Sequence, residues 1–381
     1  MPKGLHRKKT AASRKLPLLF CLLLLLIGIG GLYLKYNQQK AVETTIVSQP
    51  KVAETTDKQT IEPKNAISAS IEQKLLKKNF SGTVLVFRHG KIILNKAYGW
   101  QDQTKKIYNT VSTQYCIGSV QKGQTAYLIM QAVKSGKLFL DEKLSDFYPQ
   151  IPNSEIISIK DMLNMSSGLR IDEKKIAALN TLDPKEILAE TVKQTTVAKN
   201  ASYSYQPVNY VLLAGILEQV YQTNYQALFE KEIIKPMKLT ETSFYSTKNK
   251  KQALSYSVSP LGPLYSNTTA SSYADELGTG NVFMSAEDLY HYYQAFYNDR
   301  FLTTQDRAEL WRTYPGEEYA GGIYTMKDNM HGRGIKARFE TIANFSKDGQ
   351  TGIILLSNVW TQKNSFNGFA QQLYYQVAAA S

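Results

Sequence analysis

The stretch Gly118-Ser119-Val120-Gln121-Lys122 precedes an apolar run with helical spacing that begins at Ala126 and ends before Ser135-Gly136. We therefore expect a helix here, with Ser119 and Lys122 in its first turn. Residues i and i+3 of a helix have Cβ atoms about 5–6 Å apart, so Lys122 can reach the Ser119 hydroxyl. A serine hydroxyl needs a neighbouring base to act as a nucleophile at neutral pH. This pair is a candidate for that chemistry.

A second Ser-x-x-Lys pattern occurs at Ser48-Gln49-Pro50-Lys51. It lies in a polar stretch, and Pro50 prevents a regular helix there. The local context therefore selects Ser119. Cys116, just before it, is expected to be a small buried side chain rather than a nucleophile.

Ordered blocks of the chain resemble the serine β-lactamase and penicillin-binding protein superfamily. The closest branch is the class C β-lactamase-like group, which includes D-alanyl peptidases and esterases. The resemblance covers roughly residues 66–375. Its blocks are Phe80–Phe87 with His89-Gly90-Lys91, Ile117–Lys122, Ile159–Leu163 with Ser166–Leu169, Asn209–Leu213, Ile234–Met237 with Thr242–Phe244, and Ser285–Leu289.

The resemblance implies a second catalytic element, Tyr-x-Asn, whose tyrosine acts as a base. Tyr205 falls at the base position of Tyr205-Gln206-Pro207, and Pro207 stands where the family has asparagine. A phenol is a poor base at neutral pH unless a cation such as the Lys122 ammonium stabilises its anion. Loss of the asparagine removes a side chain that would grip an amide substrate. The alternative is that Tyr205 is a packing aromatic in a chain with 25 tyrosines.

The family's third element is Lys-Thr-Gly or His-x-Gly on a strand that lines the cleft. His331-Gly332-Arg333-Gly334 occupies the corresponding place, with arginine at its third position. The resemblance therefore implies substrate-binding roles for His331, Gly332 and Arg333. The planar Arg333 guanidinium suits a carboxylate or phosphate. A solvated Arg333 and a surface His331 are the alternatives.

The mechanism implied is acyl transfer through Ser119, with Lys122 and Tyr205 moving the proton. Three functions remain open. The first is an envelope esterase acting on D-alanylated wall polymers such as teichoic acid. The second is a D-alanyl-D-alanine carboxypeptidase or β-lactamase. The third is a non-catalytic binding or sensor protein. The altered second and third motifs favour this possibility.

The N-terminus predicts a membrane anchor. Leu16–Leu34 carries no charge and is long enough to cross a bilayer as a helix. Basic residues without an acidic one precede it, which predicts a cytoplasmic N-terminus and an extracellular domain in a Gram-positive-type envelope. The predicted organisation is a basic tail over 1–15, the anchor over 16–34, a flexible linker over 35–65 and a hydrolase domain over 66–381. A cleaved signal peptide is the alternative to the anchor.

Charge and composition limit the partners. The net charge is +13, and residues 1–35 carry seven basic and no acidic residues, which leaves +6 for the rest. That excess suits an anionic wall polymer, lipid head groups or simple solubility. Nucleic acid is not expected, because no basic cluster has interleaved aromatic residues. The four histidines lack paired metal spacing, so neither a metal nor a cofactor is predicted.

Secondary-structure signals occur at both ends of the chain. Thr83–Phe87 and Ile92–Tyr98 form one predicted hairpin, and Phe339–Phe345 with Gly352–Ser357 form another across an Asp-Gly turn. Residues from about 124 to 245 are predicted to be mainly helical. We therefore expect an α/β fold, with a mainly antiparallel sheet built from both chain ends, flanking helices and an all-α subdomain. The resemblance implies the same fold.

Overall fold

The computed structural model describes residues 60–179, 181–199, 202–259, 262–265 and 269–379. The basic tail predicted over 1–15, the anchor predicted over 16–34 and most of the linker predicted over 35–65 lie outside these residues. Across the described ranges, no helix combines the length and the apolar character needed to cross a membrane.

The described chain contains many short strands and helices, and its strands are grouped mainly near the two ends. The strands are β1 (Gly82–Arg88), β2 (Lys91–Tyr98), β3 (Trp100–Asp102), β4 (Ile107–Tyr108), β5 (Tyr115–Cys116), β6 (Leu169–Arg170), β7 (Thr196–Val197), β8 (Thr242–Phe244), β9 (Tyr256–Ser259), β10 (Gly262–Tyr265), β11 (Val282–Met284), β12 (Tyr319–Ala320), β13 (Ile323–Thr325), β14 (Met330–Lys336), β15 (Phe339–Phe345) and β16 (Gly352–Ser357). The α-helices are α1 (Ala66–Lys77), α2 (Gln121–Lys134), α3 (Ile159–Leu163), α4 (Glu173–Ala177), α5 (Pro184–Gln194), α6 (Val208–Tyr221), α7 (Tyr225–Phe229), α8 (Lys235–Met237), α9 (Ser271–Ala274), α10 (Ala286–Ala295), α11 (Thr304–Leu310) and α12 (Asn367–Ala379).

The main sheet has seven strands in the order β12-β13-β14-β15-β16-β1-β2, and every neighbouring pair is antiparallel. The two predicted hairpins are therefore joined: Gly82 at the start of β1 pairs with Ser357 at the end of β16. The predicted sheet built from both chain ends is confirmed.

The two faces of this sheet bury different helices. Side chains of a strand alternate between faces, so neighbours in sequence enter different cores. Val84 and Val86 pack with the terminal helices α1 and α12, whereas Leu85 and Phe87 belong to the larger core around α2. The sheet therefore has helices on both sides, as expected of the predicted α/β fold.

Helix α2 lies at the centre of the larger core. It packs against α6, and even its polar residues Gln121 and Gln124 are fully buried. The middle of the chain is mainly helical, as predicted, although β6 and β7 form a short ladder inside the predicted all-α subdomain.

Two residues of the linker predicted over 35–65 contact strand β2. Ile61 forms a bridge with Asn95 on β2, and the Glu62 carboxylate lies 2.6 Å from the Lys96 ammonium. Helix α1 then begins after Asn65, whose side chain accepts a hydrogen bond from the Ser68 amide, a regular N-cap.

Candidate active site

Ser119 lies in a single 3₁₀ turn, Gly118–Val120, directly before α2. Gly118 has a φ of +50°, and a Cβ on it would stand 2.8 Å from the Ile335 amide nitrogen. Glycine is therefore required for both reasons. The turn holds Ser119 half-exposed between buried neighbours.

The buried Lys122 ammonium reaches the serine, as its spacing predicts. Its Nζ donates to the Ser119 Oγ at 3.0 Å and to the carbonyl of Thr279 at 3.4 Å. Only 1% of Lys122 is exposed, so water cannot compete effectively for its protons. The two contacts aim a single amine at the hydroxyl, which is the arrangement needed for proton transfer.

A half-buried ion pair holds the segment that carries Thr279. Glu276 accepts the Thr279 hydroxyl at 2.5 Å and forms an ion pair with Lys336 at the end of β14. Burial by itself raises the pKa of Glu276, but the charges of Lys336 and Lys122, with hydrogen bonds from Lys336 and Thr279, outweigh it and lower the pKa. A carboxylate therefore remains ionised behind the Lys122 contact.

A cavity of about 220 Å³ opens beside Ser119. Its lining consists of Ser119, Tyr205, Tyr319, Gly322, Tyr324, Arg333 and Ile335. The Lys122 Nζ lies 5.2 Å from the centre of the Tyr205 ring. The structure thus brings the three predicted catalytic side chains, Ser119, Lys122 and Tyr205, together at one cavity.

Pro207 leaves the position of the family's asparagine without an amide. It precedes α6 as the helix begins. The next asparagine, Asn209, is buried; its side chain accepts the Ser167 hydroxyl at 2.6 Å and donates to the Gln206 carbonyl at 2.9 Å. Asn209 is therefore occupied within the fold and does not replace the missing side chain.

The predicted substrate-binding residues lie on β14 and point to different places. The Arg333 side chain lines the cavity. His331 instead contacts Asn344, with 2.7 Å between Nδ1 and Oδ1, and burial lowers its pKa. A Cβ on Gly332 would stand 2.4 Å from the Tyr293 hydroxyl, so this residue faces the core. The structure does not bring His331 and Gly332 to the cavity wall.

Arg333 has a buried partner that sequence reasoning missed. Its Nε and one terminal nitrogen donate to the same Glu340 oxygen at 3.2 and 2.9 Å. The Glu340 side chain is fully buried and also accepts the Ser365 hydroxyl and the Phe366 amide before α12. The Arg333 guanidinium is therefore fixed by hydrogen bonds to a buried carboxylate, whereas the alternative was a solvated side chain.

The backbone of β14 approaches Ser119 without an intervening side chain. A Cβ on Gly334 would stand 1.9 Å from the Ile117 carbonyl oxygen and 2.8 Å from the Ser119 amide nitrogen. Backbone N–H groups this close to a nucleophile can stabilise an oxyanion. The amides of Ser119 and Ile335 are the candidates.

Cys116 is fully buried and contacts the Gly280 carbonyl at 3.2 Å from its sulfur. Burial raises the pKa of its thiol to about 12. The thiol is therefore protonated at neutral pH, in agreement with the sequence interpretation.

Several site residues were not identified from the sequence. Glu276 and Thr279 carry no motif. The hairpin β12–β13 brings Tyr319, Gly322 and Tyr324 to the cavity, and its Gly321-Gly322 dipeptide between short apolar runs is a hairpin signal that could have been read. Gly322 is needed because a Cβ there would stand 2.2 Å from the Gly123 amide nitrogen.

Several known proteins resemble this chain in sequence or in fold. A Bacillus subtilis (strain 168) protein with the provisional name penicillin-binding protein PbpX is 26% identical over 97% of this chain and 96% of its own length. The Staphylococcus aureus teichoic acid D-alanine hydrolase is 29% identical over 64% of this chain and 60% of its own length. The crystal structure of FmtA from Staphylococcus aureus has the same fold, with a TM-score of 0.74, 22% identity, and coverage of 90% of this chain and 95% of that one.

A family model matches the chain over a much longer range than the Ser119, Tyr205 or His331 motif. The family model described as Beta-lactamase matches residues 67–371, which include the Ser119 turn, the Tyr205 segment and strand β14. This chain belongs to the beta-lactamase family.

Proposed function

We propose that this chain is a serine acyl hydrolase of the cell envelope and that its substrate is an ester of D-alanine on a wall polymer such as teichoic acid. The observation that carries the proposal is the 3.0 Å contact between the Lys122 Nζ and the Ser119 Oγ at an open cavity. The name of the Staphylococcus aureus relative supports the choice of substrate.

The proposed reaction is a double displacement. The Ser119 Oγ attacks the ester carbonyl carbon and loses its proton to the Lys122–Tyr205 pair. The C–O bond to the polymer alcohol breaks, and that alcohol leaves with the proton. Water then attacks the acyl-serine and releases free D-alanine. The amides of Ser119 and Ile335 would hold the oxyanion in both steps.

Pro207 favours an ester over an amide as substrate. An asparagine that binds a substrate amide contributes about 0.5–1.5 kcal/mol, or roughly two- to tenfold. An ester has no N–H to be recognised, and its alcohol is a better leaving group than the amine of an amide. A proline at this position therefore costs peptide and β-lactam turnover more than it costs ester hydrolysis.

A penicillin-binding function is the second candidate. The penicillin-binding protein relative aligns along 97% of this chain, and the Ser119–Lys122 pair that such a function requires is intact. A D-alanyl-D-alanine peptide or a β-lactam would then acylate Ser119.

One experiment separates these candidates. The full-length purified protein is offered a D-alanylated teichoic acid, a D-Ala-D-Ala peptide and a fluorescent penicillin in parallel, and a serine-reactive phosphonate reports the nucleophile. We expect D-alanine release from the polymer, slow penicillin labelling, and loss of both activity and phosphonate labelling in Ser119→Ala. Ser135→Ala, the same change after the other end of α2, is the matched control. Fast penicillin acylation with no ester hydrolysis would favour the second candidate; labelling that survives in Ser119→Ala would refute the nucleophile.

We also propose that Leu16–Leu34 anchors the protein in the cell membrane with the hydrolase domain outside. The uncharged run behind six basic residues supports this topology. We expect the protein in the membrane fraction, with its domain accessible to protease added outside intact cells. A secreted form that begins near Gly30 would show that the segment is a cleaved signal peptide.

A further inference from the structure

Three tyrosines form a corner in the cavity beside Ser119. The ring centres of Tyr205 and Tyr319 are 5.6 Å apart at 78°, and those of Tyr319 and Tyr324 are 5.0 Å apart at 69°. Rings that meet at such steep angles are adjoining walls, not a stack. All three line the cavity. The arrangement offers several aromatic rings to one small ligand group.

Two of these rings, Tyr319 and Tyr324, are neutral. Burial raises the pKa of each phenol. Both are therefore phenols at physiological pH. The face of a neutral tyrosine carries a negative quadrupole that attracts cations. One such contact already exists beside the cavity, since the Lys122 Nζ lies 5.2 Å from the centre of the Tyr205 ring.

The cavity lacks a conventional partner for a cationic substrate group. Among the described residues that line it, no side chain is a carboxylate. The positive charge of Arg333 is balanced by the buried Glu340 carboxylate, which accepts two of its N–H groups. An ammonium that enters this space therefore meets tyrosine rings and a guanidinium whose charge is compensated, and it stays apart from the buried Lys122 ammonium only if it binds at the Tyr319–Tyr324 side.

We infer that Tyr319 and Tyr324 form a cation–π site for the α-ammonium of an aminoacyl ester. The inference rests on the proposed function, because it assigns the acyl group that Ser119 would receive. The chemical class is a small α-aminoacyl ester protonated on nitrogen. Neutral acyl esters of the same shape bind less well, by the two- to thirtyfold that a cation–π contact contributes.

The test measures binding to Ser119→Ala, so that no turnover is needed. D-Alanine methyl ester and methyl isobutyrate have nearly the same shape, with a methyl group in place of the ammonium. NMR titration at pH 6, below the usual α-amino pKa of about 7.7–8.0, should give a dissociation constant about two- to thirtyfold lower for the D-alanine ester. Raising the pH to 9 should abolish the difference. Equal dissociation constants at pH 6 would overturn the inference.

Two substitutions of Tyr324 in the Ser119→Ala protein test the ring itself. Tyr324→Phe keeps an aromatic face and should keep most of the preference. Tyr324→Leu removes one of the two faces and should reduce the preference for the D-alanine ester over methyl isobutyrate at least twofold. Unchanged binding of methyl isobutyrate shows that the cavity is intact. A Leu variant that weakens both esters equally would identify Tyr324 as a packing residue and refute the site.

The failure of this inference differs from the failure of the proposed function. A wild-type protein that hydrolyses no ester but still prefers the ammonium ester in binding would refute the hydrolase and support the site. Hydrolysis of D-alanyl and isobutyryl esters with equal kcat/KM, together with equal binding, would support the hydrolase and refute the cation–π site.

Discussion

The backbone of Gly334 lies directly against the amide nitrogen of Ser119. A Cβ on residue 334 would stand 2.8 Å from that nitrogen and 1.9 Å from the Ile117 carbonyl oxygen, so no side chain fits between the strand and the nucleophile turn. The same approach brings the Ile335 amide beside Gly118. A glycine in the middle of a seven-residue strand is thus explained by the closeness of two backbones.

Gly334→Ala should therefore damage the site as well as the fold. We expect overpacking to cost about 1–3 kcal/mol of stability and to reduce phosphonate labelling of Ser119 at least tenfold. Gly368→Ala is the matched control, because a Cβ there has nothing within 4 Å and alanine favours the helix α12 by about 0.5–1 kcal/mol. Thermal unfolding and labelling rates of both variants are the measurements. Normal labelling in a stable Gly334→Ala protein would contradict this account.

Glu276→Gln should lower kcat more than it changes KM. The carboxylate holds Thr279, whose carbonyl accepts a hydrogen bond from Lys122, and it pairs with Lys336. Loosening Lys122 weakens proton transfer, which is typically worth 10²- to 10⁴-fold, so we expect about a tenfold loss in kcat. Steady-state kinetics well below the unfolding temperature measure it.

The control for this change is Glu309→Gln, which alters the partner of another largely buried lysine, Lys160, at 3.6 Å. It should leave kcat unchanged. An equal loss of kcat in both variants would mean that the effect of Glu276→Gln is a general loss of stability.

Arg333→Ala should have two separable effects. Removing the guanidinium leaves the fully buried Glu340 carboxylate with only the Ser365 hydroxyl and the Phe366 amide. An unsatisfied buried group costs about 1–3 kcal/mol. The double variant Arg333→Ala/Glu340→Gln should recover most of that stability, as measured by urea unfolding.

The same double variant then tests substrate recognition without the stability loss. We expect a higher KM for an anionic ester and little change for a neutral ester, because only the anionic ester would pair with Arg333. Equal changes for both esters would limit Arg333 to a structural role.

Asp288 should make stability fall as the pH rises. Burial raises its pKa to about 6, although its carboxylate accepts the Thr242 hydroxyl and the Glu241 amide. The unfolded value is about 3.9, so the protonated form stabilises the fold below that pH, and the contribution is lost as the pH rises through 6. The shift corresponds to about 3 kcal/mol.

Asp288→Asn removes this titration while keeping an oxygen acceptor. Compared with wild type at the same pH, the Asp288→Asn protein should be relatively more stable at pH 8 than at pH 5. Asp306→Asn is the control: burial opposes its ionisation, but hydrogen bonds from Thr303 and Lys134 lower its pKa, so its titration ends below pH 5. The same pH dependence in wild type and Asp288→Asn would contradict the assignment.

The local pattern of the sequence determined the features that depend on neighbours in the chain. The i, i+3 spacing of a helix places Lys122 at the Ser119 hydroxyl. Alternating apolar residues on either side of an Asp-Gly turn define the hairpin Phe339–Ser357. Alternation along β14 separates Gly332 from Arg333, but it places His331 and Arg333 on the same face. Only the folded structure shows that Arg333 lines the cavity whereas His331 contacts Asn344.

Tertiary packing alone decided the rest of the site. Glu276 and Lys122 are far apart in sequence and meet through Thr279; Tyr319 and Tyr324 reach the cavity because Gly322 lets their hairpin pass against Gly123. Nothing local distinguishes these tyrosines among 25, or Glu340 from any other acidic residue. A periodic pattern specifies which face of an element is buried, whereas contacts between distant segments depend on how those faces pack, and that is encoded by the whole chain.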